Sequence, residues 1–258
     1  MSITRRNLLQ LGATGALLTG CSAGQAPHPA AARSGVPAAP SASPAAGSSA
    51  SPTAGAATAL PAQIEHGPRS RPQLALTFHG QGDPAQAEAM LSAAEKGGAR
   101  LTVLAVGSWL DAYPQLAKRV LGGGHELGNH TQTHGDIGSM DEAEAGAEIT
   151  RCAARLRQLT GSQGRWFRPS QARLTTPRVV ALAQQAGYPH LLSYDVDTLD
   201  YTDPGPTAVR QAVADQAGPG SVVSLHFGHP GTLAALPGIL DDLRRRGLRA
   251  VTTTELLT

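Results

Sequence analysis

From residue 67 onward, apolar runs alternate along the chain with stretches of helical spacing. An apolar run of four to eight residues indicates a buried strand, and proline at the start of an amphipathic stretch indicates the first turn of a helix. Strands are predicted over residues 74–78, 101–106, 126–129, 165–168, 190–195, 221–227 and 248–252, and helices over residues 84–96, 109–121 and 141–159. This alternation predicts an α/β fold, with a parallel sheet or a βα barrel of about 190 residues.

Residues 22–66 have a different composition, because 34 of these 45 residues are Ala, Pro, Ser or Gly. Such a segment cannot bury enough apolar surface to offset the entropy lost on ordering. We therefore predict a disordered linker over residues 21–66 and one folded domain over residues 67–258.

The first twenty residues have the features of an export signal. Arg5 and Arg6 precede a short apolar stretch, residues 8–18, which is too short for the roughly 20 residues that a membrane span needs. The paired arginines resemble a twin-arginine signal. Residues 18–21, Leu-Thr-Gly-Cys, resemble a bacterial lipobox, in which Cys21 would be lipidated and would anchor the protein to the outer face of the cell membrane. An ordinary signal peptide with an incidental cysteine is the alternative.

The net charge of +2 at neutral pH belongs to the N-terminal segment. Residues 1–66 carry three arginines and one glutamate, whereas the rest of the chain has equal numbers of basic and acidic residues. The chain also lacks a long basic run with interleaved aromatic residues. These observations argue against a nucleic-acid partner.

Polar residues cluster at the C-terminal ends of five predicted strands, where βα barrels carry their chemistry. The clusters lie in residues 77–83, 125–134, 167–170, 195–201 and 224–229. His130 and His134 are four residues apart, and on a helical turn this spacing can bring two imidazoles to one metal ion. Two histidines leave such a site short of a ligand, and a carboxylate from the first strand end is the natural third one.

The motifs at these strand ends resemble, in order, those of the polysaccharide deacetylase family, also known as the NodB-homology or carbohydrate esterase family 4 group. Residues 130–134 read His-Thr-Gln-Thr-His and match the family's second motif, His-(Ser/Thr)-x-x-His, in full. The other matches are Arg168-Pro169 with most of the third motif, residues 197–201 with the fourth, in which Tyr201 replaces tryptophan, and Leu225-His226 with the fifth.

The resemblance covers residues from about Gln73 to Leu257 and implies a distorted, TIM-like (β/α) barrel. It also implies a metal-dependent hydrolase that acts on a carbon–nitrogen bond other than a peptide bond and removes acetyl groups from N-acetylated polysaccharide. The metal would polarise the acetyl carbonyl and activate water. Zinc is the expected ion, with cobalt or nickel as alternatives. The expected partner is a peptidoglycan- or chitin-like glycan, and we expect a monomer.

The resemblance further implies roles for individual residues. His226 corresponds to the general acid that protonates the leaving amine, and Asp200 corresponds to the carboxylate that orients it. Arg168 would position the catalytic base. Tyr201 and Leu225 would form the walls of the acetyl pocket.

The first motif departs from the family's usual Thr-Phe-Asp-Asp. His79 stands where the family has its base, and Gly80, which has no side chain, stands where the family has a metal-ligating aspartate. With His79 as the base, Asp83 is expected to join His130 and His134 as a metal ligand, although it is also a good helix N-cap. Alternatively, His79 ligates the metal and Asp83 is the base.

Two other functions are compatible with these motifs. A protein that kept the fold but lost activity at Gly80 would bind glycan without hydrolysing it. An O-acetyl esterase would use the same metal chemistry. The other histidines at predicted turns and strand ends, His125, His190 and His229, are assigned no function, and Cys152 is expected to be a small buried side chain.

Overall fold

The computed structural model describes residues 60–258. The predicted export signal, Cys21 and most of the predicted linker lie outside these residues. The elements in chain order are β1 Gln63–Ile64, β2 Gln73–Gly80, α1 Pro84–Lys96, β3 Thr102–Ala105, α2 Gly107–Ala112, α3 Gln115–Gly122, β4 Glu126–Asn129, α4 Glu142–Thr160, α5 Pro177–Gln185, β5 Leu191–Leu192, β6 Val196–Asp197, a 3₁₀ turn Asp200–Thr202, α6 Pro206–Gln216, β7 Val222–His226, α7 Pro230–Arg245, β8 Arg249–Ala250 and α8 Thr253–Leu257. None of the described helices is long and apolar enough to cross a membrane.

The strands form a parallel sheet in the order β4-β3-β2-β7-β6, with β8 paired to the start of β2. Phe167 continues the sheet beyond β4, because it forms parallel bridges with Asn129 on one side and Leu191 on the other. Strand β5 in turn pairs with β1. This arrangement of parallel strands and connecting helices confirms the predicted α/β fold with a distorted (β/α) barrel.

Side chains along the central strands alternate between the two faces of the sheet, as expected of extended backbone. In β2, Leu76 and Phe78 belong to the main hydrophobic core, which also contains residues of α1 and α7. Thr77 and His79 alternate with them and lie on the opposite face, where both contact Arg168. The barrel interior therefore contains polar side chains at the carboxyl end of β2.

The described structure begins before the predicted domain boundary at residue 67. Gln63 and Ile64, which the composition assigns to the linker, pair with Leu191 and Leu192. Ile64 is fully buried in a cluster that includes Leu192. Ile64, with Leu60 packed against the same cluster, thus completes the packing beside β5.

Three other elements differ from the predicted ones. The helix expected over residues 109–121 is divided into α2 and α3 at Tyr113-Pro114, because a residue before proline disfavours helical backbone angles. The strand expected over residues 165–168 is reduced to the bridges at Phe167. Strand β6 was not predicted. It directly follows the strand predicted over residues 190–195, and it pairs with β7.

Candidate active site

His130 and His134 lie in a turn that follows β4, and not on a helix. Thr131 and His134 adopt left-handed backbone conformations, with φ of 70° and 62°, which side-chain-bearing residues rarely hold without support. Asn129 supplies support from β4, because its Oδ1 accepts from the Thr131 N–H at 2.9 Å. Glu148 on α4 accepts from the Thr133 N–H at 2.7 Å. The turn that carries both histidines is therefore held from two sides.

A third histidine reaches the same point from β2. One ring nitrogen of each of His79, His130 and His134 lies within 4.8 Å of the others. The closest pair is His79 Nδ1 and His130 Nε2, 2.8 Å apart, and both of these residues are buried. This geometry favours the alternative in which His79 is a metal ligand.

The hydrogen-bond partners assign the protons in this cluster. The Arg168 carbonyl at 2.9 Å can only accept, so His130 carries its proton on Nδ1 and has a lone pair on Nε2. The Arg168 guanidinium can only donate, so its contact with His79 Nε2 at 3.2 Å places the His79 proton on Nδ1, toward His130. Ligation through His79 Nδ1 requires the other tautomer, and Ser224 Oγ, 3.2 Å from Nε2, can accept the relocated proton.

The three histidines are held in their neutral forms. Burial lowers the pKa of His79 and of His130 well below 6.5, and repulsion between neighbouring imidazoles adds to the effect. Burial, followed by the nearby His226, also lowers the pKa of His134. Metal binding needs neutral imidazoles with free lone pairs. The donor set therefore fits a divalent ion that accepts nitrogen ligands, such as zinc.

The structure does not place Asp83 with His130 and His134, contrary to the expected ligand set. Asp83 is exposed at the N-cap of α1, where its Oδ1 accepts from the Gln86 N–H at 2.9 Å. Capping fixes the carboxylate at the helix terminus. The N-cap role, anticipated from the sequence, accounts for this residue.

His226 and Asp200 form a hydrogen-bonded pair beside the three histidines. Asp200 Oδ1 accepts from His226 Nδ1 at 2.7 Å, and Asp200 Oδ2 accepts from the His226 backbone N–H at 2.8 Å and from Thr232 Oγ1 at 2.7 Å. Burial favours the neutral carboxyl of Asp200, but the hydrogen bonds and charge of His226, together with Thr232, outweigh burial and lower its pKa. The His226 ring stacks on the His79 ring at a centroid distance of 4.1 Å.

Arg168 is fully buried behind the histidine cluster. Its guanidinium donates to Leu192 O, Ser193 O and Thr77 Oγ1 at 2.8–3.0 Å, in addition to His79 Nε2. Burial lowers the pKa of Arg168 to about 10, so it remains a cation at neutral pH. Arg168 thus fixes the orientation of His79 from inside the barrel.

We expect Arg168→Ala to lower the free energy of unfolding by about 3 kcal/mol or more, because it leaves buried acceptors unpaired and creates a cavity. Urea denaturation followed by circular dichroism measures the effect. Arg151→Ala on the exposed face of α4 is the matched control and should change stability by no more than about 0.5 kcal/mol. Equal midpoints for the two variants would contradict the structural role of Arg168.

A cavity of about 420 Å³ opens at the carboxyl ends of the strands, above the histidines. Four predicted site residues line it: His79, His134, His226 and Tyr201. The lining residues to which the sequence assigned no role are Gln81, Gln171, Ala172, Arg173, Tyr194, Asp197 and His229. All but Tyr194 lie two to five residues after the end of a predicted strand, so proximity to a strand end was the available signal.

Leu225 does not line this cavity, contrary to the predicted acetyl pocket. It alternates with Ser224 and His226 along β7, so its side chain faces the opposite side of the sheet. There it is fully buried in the main hydrophobic core. Tyr201 does line the cavity, half exposed, with its ring centroid 5.3 Å from that of His226.

Comparisons with known proteins agree on one family. The family model described as "Polysaccharide deacetylase" matches residues 66–191. A peptidoglycan-N-acetylglucosamine deacetylase of Bacillus cereus is 30% identical over 194 residues, which cover 74% of this chain and 90% of that protein. A chitooligosaccharide deacetylase of Bradyrhizobium is 27% identical over 57% of this chain and 73% of that protein. An uncharacterized protein of Bacillus subtilis is 25% identical over 76% of this chain, which spans only 61% of that protein's length.

Similar solved structures include both a pseudoenzyme and a mutant of it with restored activity. A CE4 family pseudoenzyme from Bacillus anthracis is similar to this chain with a TM-score of 0.72 and 25% identity, over 77% of this chain and 69% of that one. A mutant of that pseudoenzyme is described as having restored enzymatic activity, and its structure is equally similar. Similarity in fold therefore extends to both active and inactive proteins.

Proposed function

Since the chain belongs to the polysaccharide deacetylase family, we propose that it is a metal-dependent hydrolase that removes acetyl groups from an N-acetylated glycan. One observation carries the proposal. His226, held by Asp200, stacks on His79 at 4.1 Å, and His79 belongs to the group of three histidines able to hold a metal ion. A proton donor and a metal-binding group thus lie side by side at one cavity.

We propose that His79, His130 and His134 hold the ion, with zinc as the first candidate and cobalt or nickel as alternatives. When bound, the ion supplies Lewis acidity, which polarises an acyl carbonyl and makes water a stronger nucleophile. Arg168 then orients a ligand through its backbone, because its carbonyl accepts from His130 Nδ1–H and leaves the lone pair on Nε2 for the ion. Ligation through His79 Nδ1 places the His79 proton on Nε2, where Ser224 Oγ accepts it in place of the Arg168 contact.

His226 is proposed to donate a proton to the leaving amine. The ionised Asp200 accepts from His226 Nδ1, so His226 Nε2 is the nitrogen available to substrate. Water bonds to the acetyl carbon and the bond from that carbon to the sugar nitrogen breaks, while the proton moves from Nε2 to the nitrogen, which leaves as an amine. The hydroxyl of water stays on the acetyl carbon as acetic acid, and the other proton of water replaces the one that His226 gave up. Thr232 and the His226 backbone hold Asp200 in place.

The altered first motif cannot be restored by a single substitution. A Cβ atom at Gly80 would lie 2.8 Å from Val103 Cγ1 and 3.0 Å from the Ala105 backbone. We expect Gly80→Asp to lower the free energy of unfolding by about 1–3 kcal/mol through overpacking, without raising metal affinity. Thermal denaturation and zinc titration measure the two quantities. A variant that is as stable as the wild type and binds zinc more tightly would contradict this account.

The proposed substrate is a peptidoglycan- or chitin-like glycan, because the named relatives act on such molecules. We also propose that a twin-arginine signal over residues 1–20 and lipidation of Cys21 place the protein at the outer face of the cell membrane. The linker that follows would then let the catalytic domain reach the cell-wall glycan. Detection of Cys21-linked lipid by mass spectrometry of the membrane fraction would test this placement.

The second candidate is a glycan-binding protein without activity. His79 and Gly80 in place of the family's two aspartates, together with the similarity to a pseudoenzyme, favour it. Incubation of the purified protein with peptidoglycan, a chito-oligosaccharide and an O-acetylated glycan, each followed by acetate measurement, separates the candidates. Acetate from an N-acetylated substrate supports the deacetylase, acetate only from the O-acetylated glycan supports an esterase, and binding without acetate supports the inactive protein.

A further inference from the structure

A second histidine–aspartate pair lies beside the first one. His229 Nδ1 is 2.9 Å from Asp203 Oδ1, just as His226 Nδ1 is 2.7 Å from Asp200 Oδ1. The two histidines are three residues apart, and so are the two aspartates. We propose that His229, positioned by Asp203, binds a hydroxyl group of the glycan next to the sugar that carries the acetyl group. This inference rests on the proposed function.

The backbone brings the second pair to the cavity. Asp203 follows the 3₁₀ turn that contains Asp200, and its N–H donates to the Asp200 carbonyl at 3.0 Å. Asp203 has a left-handed φ of 53°, a conformation that is uncommon for a residue with a side chain. His229 lies three residues after the end of β7 and immediately precedes α7. The same two segments that form the His226–Asp200 pair therefore continue into the second pair.

His229 is accessible to a ligand, and it is more exposed than His226. It lines the cavity, and its side chain is 24% exposed, compared with 12% for His226. Its ring centroid is 6.0 Å from that of His226, with the rings nearly perpendicular. His226 and His229 thus line the same cavity, so a long substrate that contacts His226 can extend to His229.

The hydrogen-bond chemistry indicates the kind of group that His229 binds. Asp203 accepts from Nδ1–H, so Nε2 is the nitrogen left to contact a ligand. A neutral ring offers a lone pair at Nε2, and a protonated ring offers a donor. A sugar hydroxyl can donate or accept, so it suits either form. Polysaccharides present such hydroxyls on every residue, and Tyr201 beside His226 offers an aromatic face to the same chain.

The test compares glycan binding and turnover in full-length variants. Chitopentaose binding is measured calorimetrically on zinc-loaded protein in a His226→Ala background, which prevents turnover, and kcat and KM are measured in the wild-type background. We expect His229→Ala to raise both the dissociation constant and KM about five- to tenfold, the effect of one hydrogen bond, and to change kcat less than about threefold. His229→Gln keeps a polar group there and should recover most of the affinity.

Two further variants define the specificity of the effect. Asp203→Ala frees the His229 ring and should raise KM about threefold, a smaller effect than loss of the ring itself. His190→Ala is the matched control, because His190 contacts the Pro61 carbonyl and is not part of the cavity lining. It should leave KM and the dissociation constant unchanged.

The possible failures are distinguishable. If the wild type deacetylates chitopentaose and His229→Ala has the same KM and dissociation constant, the role of His229 is wrong and the proposed function stands. A large loss of kcat at unchanged affinity would also overturn this role, because it would place His229 in the chemistry. If the wild type neither binds nor deacetylates an N-acetylated glycan, the proposed function fails and this inference fails with it.

Discussion

Replacement of His226 by alanine is expected to lower kcat for acetate release by about 10²–10⁴-fold, the usual contribution of general acid catalysis. Without the imidazole, the amine must leave without a proton from Nε2. Asp200 also loses one of its three hydrogen-bond partners, the ring Nδ1 of His226. Initial rates of acetate release from a chito-oligosaccharide measure this effect.

The same variant should retain its metal, because His226 is not one of the three histidines that form the proposed metal site. Zinc content measured on the same preparation is the control, and it separates loss of chemistry from loss of the ion. Turnover equal to that of the wild type would show that His226 is not the proton donor. Loss of zinc together with turnover would show instead that His226 helps to hold the ion.

Replacement of His130 by alanine is expected to weaken zinc binding by more than about 100-fold and to abolish turnover. His130 has the most fully defined ligand geometry, since Arg168 O accepts from its Nδ1–H and the lone pair is therefore on Nε2. Titration with zinc in the presence of a competing chelator measures the affinity. His190→Ala, which alters a histidine outside the cluster, should bind zinc as the wild type does.

The parallel variant His79→Ala decides between the two roles considered for His79. If His79 is a ligand, zinc affinity falls together with kcat. If His79 is the base, zinc remains bound and only kcat falls. Undiminished zinc affinity in His130→Ala would contradict the proposed metal site as a whole.

Local signals in the sequence were sufficient for much of the fold. Helix α1 and strand β4 have the predicted bounds, because Asp83-Pro84 marks a helix start and the glycines before residue 126 mark a strand start. Longer-range contacts decided two of the exceptions. Ile64 is ordered by its pairing with β5, and Phe167 extends the sheet through bridges to residues distant in the chain. A local pattern does not encode such partners.

The identity of the site residues was predictable where a motif singled them out. Their geometry was less predictable, because it depends on contacts with other elements. His130 and His134 were singled out by their spacing, but their turn depends on Asn129 and on Glu148 in α4. The sequence allowed His79 to be either base or ligand, and the structure favours ligation because β2 places its ring 2.8 Å from His130.

Asp83 and Leu225 are not where the sequence placed them, for local reasons. Asp83 caps α1, and Leu225 faces the hydrophobic core because side chains alternate along β7. His229 carried no motif, and its position became meaningful only through a contact with Asp203 on a separate segment.

The central claim is that the chain is an active metal-dependent deacetylase despite His79 and Gly80 in its first motif. Its most direct test measures zinc content and acetate release from a chito-oligosaccharide on one sample of the full-length protein, before chelation, after chelation and after zinc is restored. We expect about one zinc ion per chain, with acetate release that is lost on chelation and recovered with zinc. One bound zinc ion per chain without acetate release from the chito-oligosaccharide or from peptidoglycan would contradict the claim.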